Sequence, residues 1–185
     1  MKAAVPVAVK GSRPAVHRGL SGQAGQLVGL RRAMLSDLEE LMRLETTCFE
    51  DWRQDSRRVI RESLTNPRHE VWVVSDADGG GLTACLYLRL RMPRVRIYSI
   101  ATDPQRQGAG LGRELMEFSR TRALELGANT LSLEADAARD SLTAWYERLG
   151  FRKTVFLSDF YAPGRHAWRM TAQLTGEPTA LRPFE

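Results

Sequence analysis

Gly108, Gly110 and Gly112 alternate through the stretch QRQGAGLGRE, residues 105 to 114, directly before a run with helical periodicity. Backbone N–H groups at a helix start, freed of side-chain bulk, make a pocket for phosphate oxygens. Arg106 and Arg113 flank this one with positive charge. The spacing excludes two familiar nucleotide sites: the sixth position counted from Gly108 is Arg113, which breaks the dinucleotide fingerprint, and no Gly-Lys-Ser/Thr follows to make a phosphate loop. A tight strand-to-helix turn would explain one or two of the glycines. All of them together, opening a helix in which each glycine costs up to ~1 kcal/mol relative to alanine, point to close approach by a ligand.

Two further side chains have chemistry to offer. Glu134 lies in LSLEA, where Leu131, Leu133 and Ala135 take one face of a strand and Ser132 and Glu134 the other. A carboxylate in mid-strand is either solvated at the sheet surface or facing a cleft. Tyr146, in AWYERLGF at 144 to 151, shares a helical face with Leu142 and Leu149. That is the pattern of a core aromatic as much as of a phenolic proton donor.

Alternating strand and helix patterns must hold these residues in place. LVGLRRA reads as a first strand, and SDLE at 36 to 39 as a capping box with Ser36 as N-cap, opening a helix to about Cys48. A second helix spans Ser56 to Leu64 and ends at Asn66-Pro67. VWVVSD, DGGG and LTACLYLRL form a strand, a turn and a strand, and VRIYSIAT a further strand. The glycine stretch leads into a helix to about Leu126, whose apolar stripe of Leu111, Leu115, Phe118 and Leu126 is interrupted by Arg122. TLSLEA is a strand, DSLTAWYERLG a short helix, and KTVFLS with HAWRMTAQL a closing antiparallel pair. The class is mixed α/β, with no internal repeat.

At 185 residues and 43% hydrophobic content the chain suits one buried core and is short for two ordinary domains. Of the net charge of +5, Lys2, Lys10, Arg13 and Arg18 place +4 in residues 1 to 26, which hold no acid. Residues 27 to 185 are thus nearly neutral and make no electrostatic case for nucleic acid. Residues 1 to 26, rich in Ala, Gly and Pro and without apolar periodicity, read as a disordered basic tail. Residues 27 to 175 read as the folded domain and 176 to 185 as a C-terminal tail. Nothing approaches the run of ~18 apolar residues that spans a bilayer. Cys48 and Cys85 make neither a disulfide framework nor a metal spacing, and a reducing cytoplasmic setting is expected.

The segment Gln107-Gly108-Ala109-Gly110-Leu111-Gly112 matches the Gln/Arg-x-x-Gly-x-Gly/Ala signature of the GNAT N-acetyltransferases. AWYERLGF resembles that family's second landmark, a Tyr followed shortly by Gly-Phe, at the family's separation. The resemblance covers about residues 27 to 174. It implies a mixed, mostly antiparallel central sheet, splayed between strands 4 and 5 and flanked by helices, with acetyl-CoA in the opening and no metal. The main chain of Ile100, Ala101 and Thr102 would meet the pantetheine arm, and the segment from Gln107 to Arg113, through its N–H groups, the pyrophosphate. An Asn seven residues before the Tyr often touches the cofactor in this family; here Arg139 stands there, and Asp140 reads as N-cap of the short helix.

Acyl transfer to an amine needs a deprotonated nucleophile, a stabilised oxyanion and a proton for the departing thiolate. On the resemblance, Tyr146 is the general acid. Glu134 and Tyr146 stand twelve residues apart in "LE" and "WYERLGF" contexts, a spacing similar to that of the bacterial ribosomal-protein N-terminal alanine acetyltransferases, which makes Glu134 the general base, acting through water. An α-amine, with a pKa of ~8 against ~10.4 for lysine, suits a single carboxylate base. Phe49 and Trp52 in CFEDWRQ, and Phe160 and Tyr161 in DFYAPGRHAW, are candidate walls for the acceptor or else core and hairpin packing. The acceptor is a protein or peptide N-terminus, with a small amine (polyamine, amino acid, antibiotic) as the alternative and a non-catalytic acyl-CoA-binding module as a third reading. The assembly is a monomer or homodimer.

Overall fold

A computed structural model describes residues 29–76, 81–106 and 110–174. The expected tails, the inner part of the DGGG turn and Gln107, Gly108 and Ala109 lie outside those residues. Strands β1 (Leu30–Arg32), β2 (His69–Ser75), β3 (Leu82–Arg91), β4 (Arg94–Thr102), β5 (Thr130–Asp136), β6 (Arg152–Ala162) and β7 (Arg165–Gln173) form one sheet in the order β1-β2-β3-β4-β5-β7-β6. All neighbours are antiparallel except β4 and β5. Helices α1 (Leu38–Cys48) and α2 (Arg57–Thr65) cover one face, and α3 (Leu111–Glu125) and α4 (Asp140–Arg148) the other.

Strand alternation divides the core between these faces. Leu86, Leu88, Ile97, Leu131 and Leu133 pack against Leu115 of α3 and Leu142 of α4, while Val71, Val73, Cys85 and Tyr87 pack against Leu41, Leu44 and Ile60 of α1 and α2. Arg122, the misfit in the α3 stripe, is explained by a partner on β2. Its guanidinium donates to both oxygens of buried Glu70 at 2.8 and 3.0 Å, and the Trp72 indole N–H at 2.9 Å and Arg32 at 3.0 Å complete the cluster. This ties α3 to the sheet through a charge that the apolar pattern alone could not accommodate.

The expected capping box at Ser36 does not form. A short 3-10 turn, Leu35–Asp37, precedes α1. The Asp37 carboxylate accepts the Met34 N–H at 2.7 Å and two guanidinium nitrogens of Arg31 at 2.8 Å. Ser36 lies inside that turn and not at an N-cap, and the Glu39 carboxylate that the box requires pairs with Arg57 at 2.5 Å.

The sheet opens in its middle, as the resemblance implied. β4 and β5 pair only through Arg94↔Thr130, Val95↔Leu131 and Arg96↔Ser132. Beyond that point the rest of β4 stays on β3, and Leu133–Asp136 stay on β7. The register steps from Leu88↔Ile97 to Tyr87↔Ser99, so Tyr98 is an extra residue on β4 just where the strands part. A bulge bends its strand and strengthens its twist, which carries β4 away from β5.

Burial alone would raise the Glu70 carboxyl, but Arg122, Trp72 and Arg32 hold it below the usual carboxylate range. Stability from this cluster is therefore complete above the unfolded-chain value near ~4.3 and is lost as pH falls through the lower folded value. Glu70→Gln is expected to cost about 2–4 kcal/mol in urea unfolding at pH 7. The difference from the parent should shrink at pH below ~4, where the parent's own Glu70 is protonated.

Candidate active site

On the donor side, Gly110 caps the 15-residue helix α3 with φ +87°, and no side chain caps that end. The left-handed conformation strains any residue but glycine, and the uncapped N–H groups leave an anion-binding helix start. Gly112 is buried within the first turn. The positive charge expected from the flanking arginines is already engaged: Arg106 pairs with Asp76, and Arg113 pairs with Glu117 at 3.0 Å. Ile100, Ala101 and Thr102 lie buried in the splayed half of β4. The hydroxyls of Ser99 and Thr102 are buried there without hydrogen-bond partners among the described residues. An open strand edge, two unused hydroxyls and a bare helix start fit a long amide-bearing chain with an anionic end.

Tyr146 rises from α4 and is fully buried, its ring against Trp145 at 4.9 Å and Phe151 at 6.0 Å between centroids. Gly150, at φ +84°, turns the chain out of α4, and the Phe151 N–H returns to the Tyr146 carbonyl at 3.1 Å. The Gly-Phe landmark therefore locks the turn that carries the tyrosine. The N-cap of α4 is Arg139, not Asp140, which is the first helical residue. The Tyr146 hydroxyl has no hydrogen-bond partner among the described residues. Burial, with the Tyr161 phenol adding, pushes its ionisation well above 10 against the opposing charges of Arg53 and Arg139. Arg53 comes from the turn between α1 and α2, so the Tyr146 hydroxyl lies within electrostatic range of groups from the other side of the sheet.

On the acceptor side, Glu134 is 1% exposed, neither solvated nor apolar in its company. Arg96 of β4 holds Oε2 through Nε and Nη2, both at 2.6 Å, and Arg169 of β7 holds Oε1 at 3.0 Å. A carboxylate has about four lone-pair sites, so Oε1 keeps a position for a water. Beside it, Arg53 extends from the 3-10 turn Asp51–Arg53 between α1 and α2 and pairs with Asp136 at 3.6 Å. Its side chain is 6% exposed, and Nη2 has no hydrogen-bond partner among the described residues. Arg53 also lies 5.3 Å from the Trp52 ring and 5.0 Å from the Tyr161 ring. The buried Tyr161 hydroxyl is unpartnered as well. Burial and the Asp136 and Glu134 carboxylates push its ionisation up, with Arg53 and Arg96 opposing.

The expected aromatic walls separate. Trp52 and Tyr161 meet edge to face at 6.1 Å, and Phe160 joins at 5.1 Å from Tyr161. Phe49 is buried in the core beneath α1. Sequence reasoning missed Arg53, Asp136, Arg96 and Arg169. A signal existed for two of them: Asp136 continues the Ser132, Glu134 alternation on β5, and Arg96 occupies the equivalent face of β4. Among the described residues no group of His, Cys, Asp and Glu is placed to hold a metal ion, and no helix is long and apolar enough to cross a membrane.

The model of the Acetyltransferase (GNAT) family matches residues 38–151. A [ribosomal protein bS18]-alanine N-acetyltransferase of Escherichia coli is 32% identical over 84 residues, 45% of this chain and 57% of the relative. A mycothiol acetyltransferase of Kytococcus sedentarius is 27% identical over 128 residues, 64% of this chain and 43% of the relative. The matches thus span about half the length of these relatives. Among solved structures, the E. coli ribosomal-protein alanine N-acetyltransferase superposes with TM-score 0.71 at 22% identity, over 83% of this chain and 97% of that one. A chimeric spermidine N-acetyltransferase from Vibrio cholerae superposes with TM-score 0.65 at 20% identity, over 78% and 95%.

Removing a buried hydroxyl that bonds a protein group costs ~1–3 kcal/mol, whereas removing an unpartnered one is nearly free or stabilising. Tyr146→Phe is accordingly expected to unfold within about 1 kcal/mol of the parent, or later. Urea titration of the ligand-free protein is the measurement.

Proposed function

The chain belongs to the GNAT acetyltransferase family, and from that premise we propose that it transfers the acetyl group of acetyl-CoA to the α-amine of a polypeptide N-terminus. The observation that carries the reading is the Tyr146 hydroxyl: buried, kept protonated and unspent among the described residues. The donor lies along the splayed half of β4, its amides on the main chain of Ile100, Ala101 and Thr102 and its pyrophosphate on the N–H groups from Gln107 to Gly112; the Arg113 N–H already donates to the Gly110 carbonyl at 2.9 Å. The acceptor enters from the α1–α2 face, beside the Trp52–Tyr161 pair.

The amine nitrogen attacks the thioester carbonyl carbon, so a C–N bond forms as the C–S bond breaks. The proton lost by nitrogen passes through a water on the free position of Oε1 to the Glu134 carboxylate, which later releases it to solvent as the Tyr146 phenolate takes one up. The Tyr146 phenol delivers its proton to the departing sulfur, and coenzyme A leaves as the thiol. Glu134, pinned by Arg96 and Arg169, stays oriented through the cycle.

A second reading keeps the chemistry and changes the acceptor. One relative is named a mycothiol acetyltransferase and one structural neighbour a spermidine N-acetyltransferase. Turnover with acetyl-CoA should be measured on N-terminal peptides beside polyamines, amino acids and aminoglycosides. Peptide turnover at least tenfold above every small amine is the expected result; turnover of small amines alone would replace the peptide reading.

Loss of the general acid should lower kcat by about 100-fold or more in Tyr146→Phe with little change in the KM for acetyl-CoA. Glu134→Gln should lower kcat/KM for the acceptor. For a peptide, kcat/KM should rise with pH and level off near ~8, where an α-amine is half deprotonated; a rise continuing past pH 9 would point to a lysine-type amine.

A further inference from the structure

The β3–β4 hairpin carries Arg89, Arg91, Arg94 and Arg96. In the ladder, Arg89 lies directly opposite Arg96 and Arg91 opposite Arg94, with Leu88, Leu90, Val95 and Ile97 packed into the core on the other face. The arginines therefore form a two-by-two array on the α1–α2 side, the side of the acceptor cleft. Like charges directly opposite each other destabilise a sheet, and here two such pairs are stacked.

Local partners neutralise only part of this charge. Arg96 bonds Glu134, while Arg89 lies against the Tyr98 ring at 3.4 Å and has its Nε buried without a hydrogen-bond partner among the described residues. Arg91 and Arg94 are exposed, and no ion pair among the described residues reaches them. Beside the array lies an open cavity of about 890 Å³, bounded by Glu62, Arg68, His69, Arg89 and Arg91 together with the turn after α2. Glu62 is the single acid in that lining. The Nδ1 of His69 is buried and unpartnered among the described residues, and burial, then Arg89 and Arg91, push its ionisation down against Glu62.

The array is continuous with the catalytic row. Arg96 bonds Glu134 and lies 5.7 Å from the same Tyr98 ring that Arg89 covers. Strands are ~4.8 Å apart and rise ~3.3 Å per residue, which puts Arg89 roughly 12 Å and Arg91 roughly 17 Å diagonally from Glu134 in backbone position. An extended chain covers these spans in about three to six residues.

We propose that the arginine array on the β3–β4 hairpin is a specificity site for the acceptor, binding carboxylate side chains at about its third to sixth residues. The inference rests on the peptide-acceptor reading. A polypeptide fits better than a nucleic acid because residues 27 to 185 carry a net charge of only +1, which gives a phosphate backbone little overall attraction.

The test uses the full chain with acetyl-CoA and peptides that share their first two residues and carry Asp/Glu, Ala or Lys at positions three to six. Acidic peptides should exceed neutral ones in kcat/KM by about tenfold at low salt, the combined effect of a few partly exposed ion pairs, and the ratio should shrink as salt is raised. The double substitution Arg91→Glu with Arg94→Glu should abolish or invert the preference; both positions are exposed, and a thermal melt confirms folding. An N-terminally blocked acidic peptide should also inhibit the parent and not the double variant, a readout independent of turnover. Equal kcat/KM across the panel would overturn the array's role and leave the peptide reading standing. Turnover of small amines with none of any peptide would remove both. Short RNA that binds the parent and not the double variant, with no acidic preference among peptides, would assign the array to nucleic acid and overturn the proposal.

Discussion

The Glu134 carboxylate sits at the apex of a fork. The last ladder pair between β4 and β5 is Arg96↔Ser132, and two residues on, Glu134 is bonded by Arg96 from one side and by Arg169, its cross-strand partner on β7, from the other. Charge takes over where the backbone ladder stops. Without that bridge the interior edge of β4 and the departing end of β5 would meet with no directional bond across the seam, and a sheet that parts in its middle must be held at the point of parting. The bulge at Tyr98 sets where β4 bends, and the ion bridge limits how far the opening propagates toward the hairpin. The parting of β4 from β5 is set by both together.

That arrangement places two demands on one residue. A buried carboxylate is costly unless paired, and Glu134 is paired twice; yet the proposed chemistry needs one lone pair to remain available. The geometry meets both. Arg96 spends two nitrogens on Oε2, and Arg169 spends one on Oε1. The residue that braces the fork is then also the one proposed as general base, and a substitution there touches both roles. Tyr146 carries the opposite economy: its ring fills the core against Trp145 and Phe151 while its hydroxyl takes no part in structure.

Much of the scaffold is written in local periodicity. Each expected strand and helix is present, because alternation and 3.6-residue stripes follow directly from which face is buried. What escaped notice depended on partners distant in the chain. Arg122 read as an interruption of a helix stripe until Glu70, 52 residues away, supplied the reason. The Ser36 capping box failed because a 3-10 turn took in Ser36 and because Arg57, on the next helix, engaged the Glu39 carboxylate that the box needs. In the site, Glu134 and Tyr146 stood out by position within a strand and a helix. Arg53 gave no such sign, since a lone arginine in a polar connection looks solvated until folding carries Asp136 and Tyr161 to it.

The hairpin arginines show the complementary case, where local pattern was present and its meaning was not. RLRMPRVR reads as an ordinary polar face alternating with Leu90 and Val95. Only the ladder register brings Arg89 against Arg96 and Arg91 against Arg94, turning alternation along each strand into repulsion across two. Folding does not need that repulsion: the apolar partners of this hairpin lie on the opposite face, and a neutral polar residue at 91 or 94 would serve the sheet better. A patch that opposes the stability of its own hairpin, next to an open cavity and in line with Glu134, is most simply explained by an anion that arrives from outside. If that anion is part of the acceptor, the register of one hairpin helps set which chains the fork accepts.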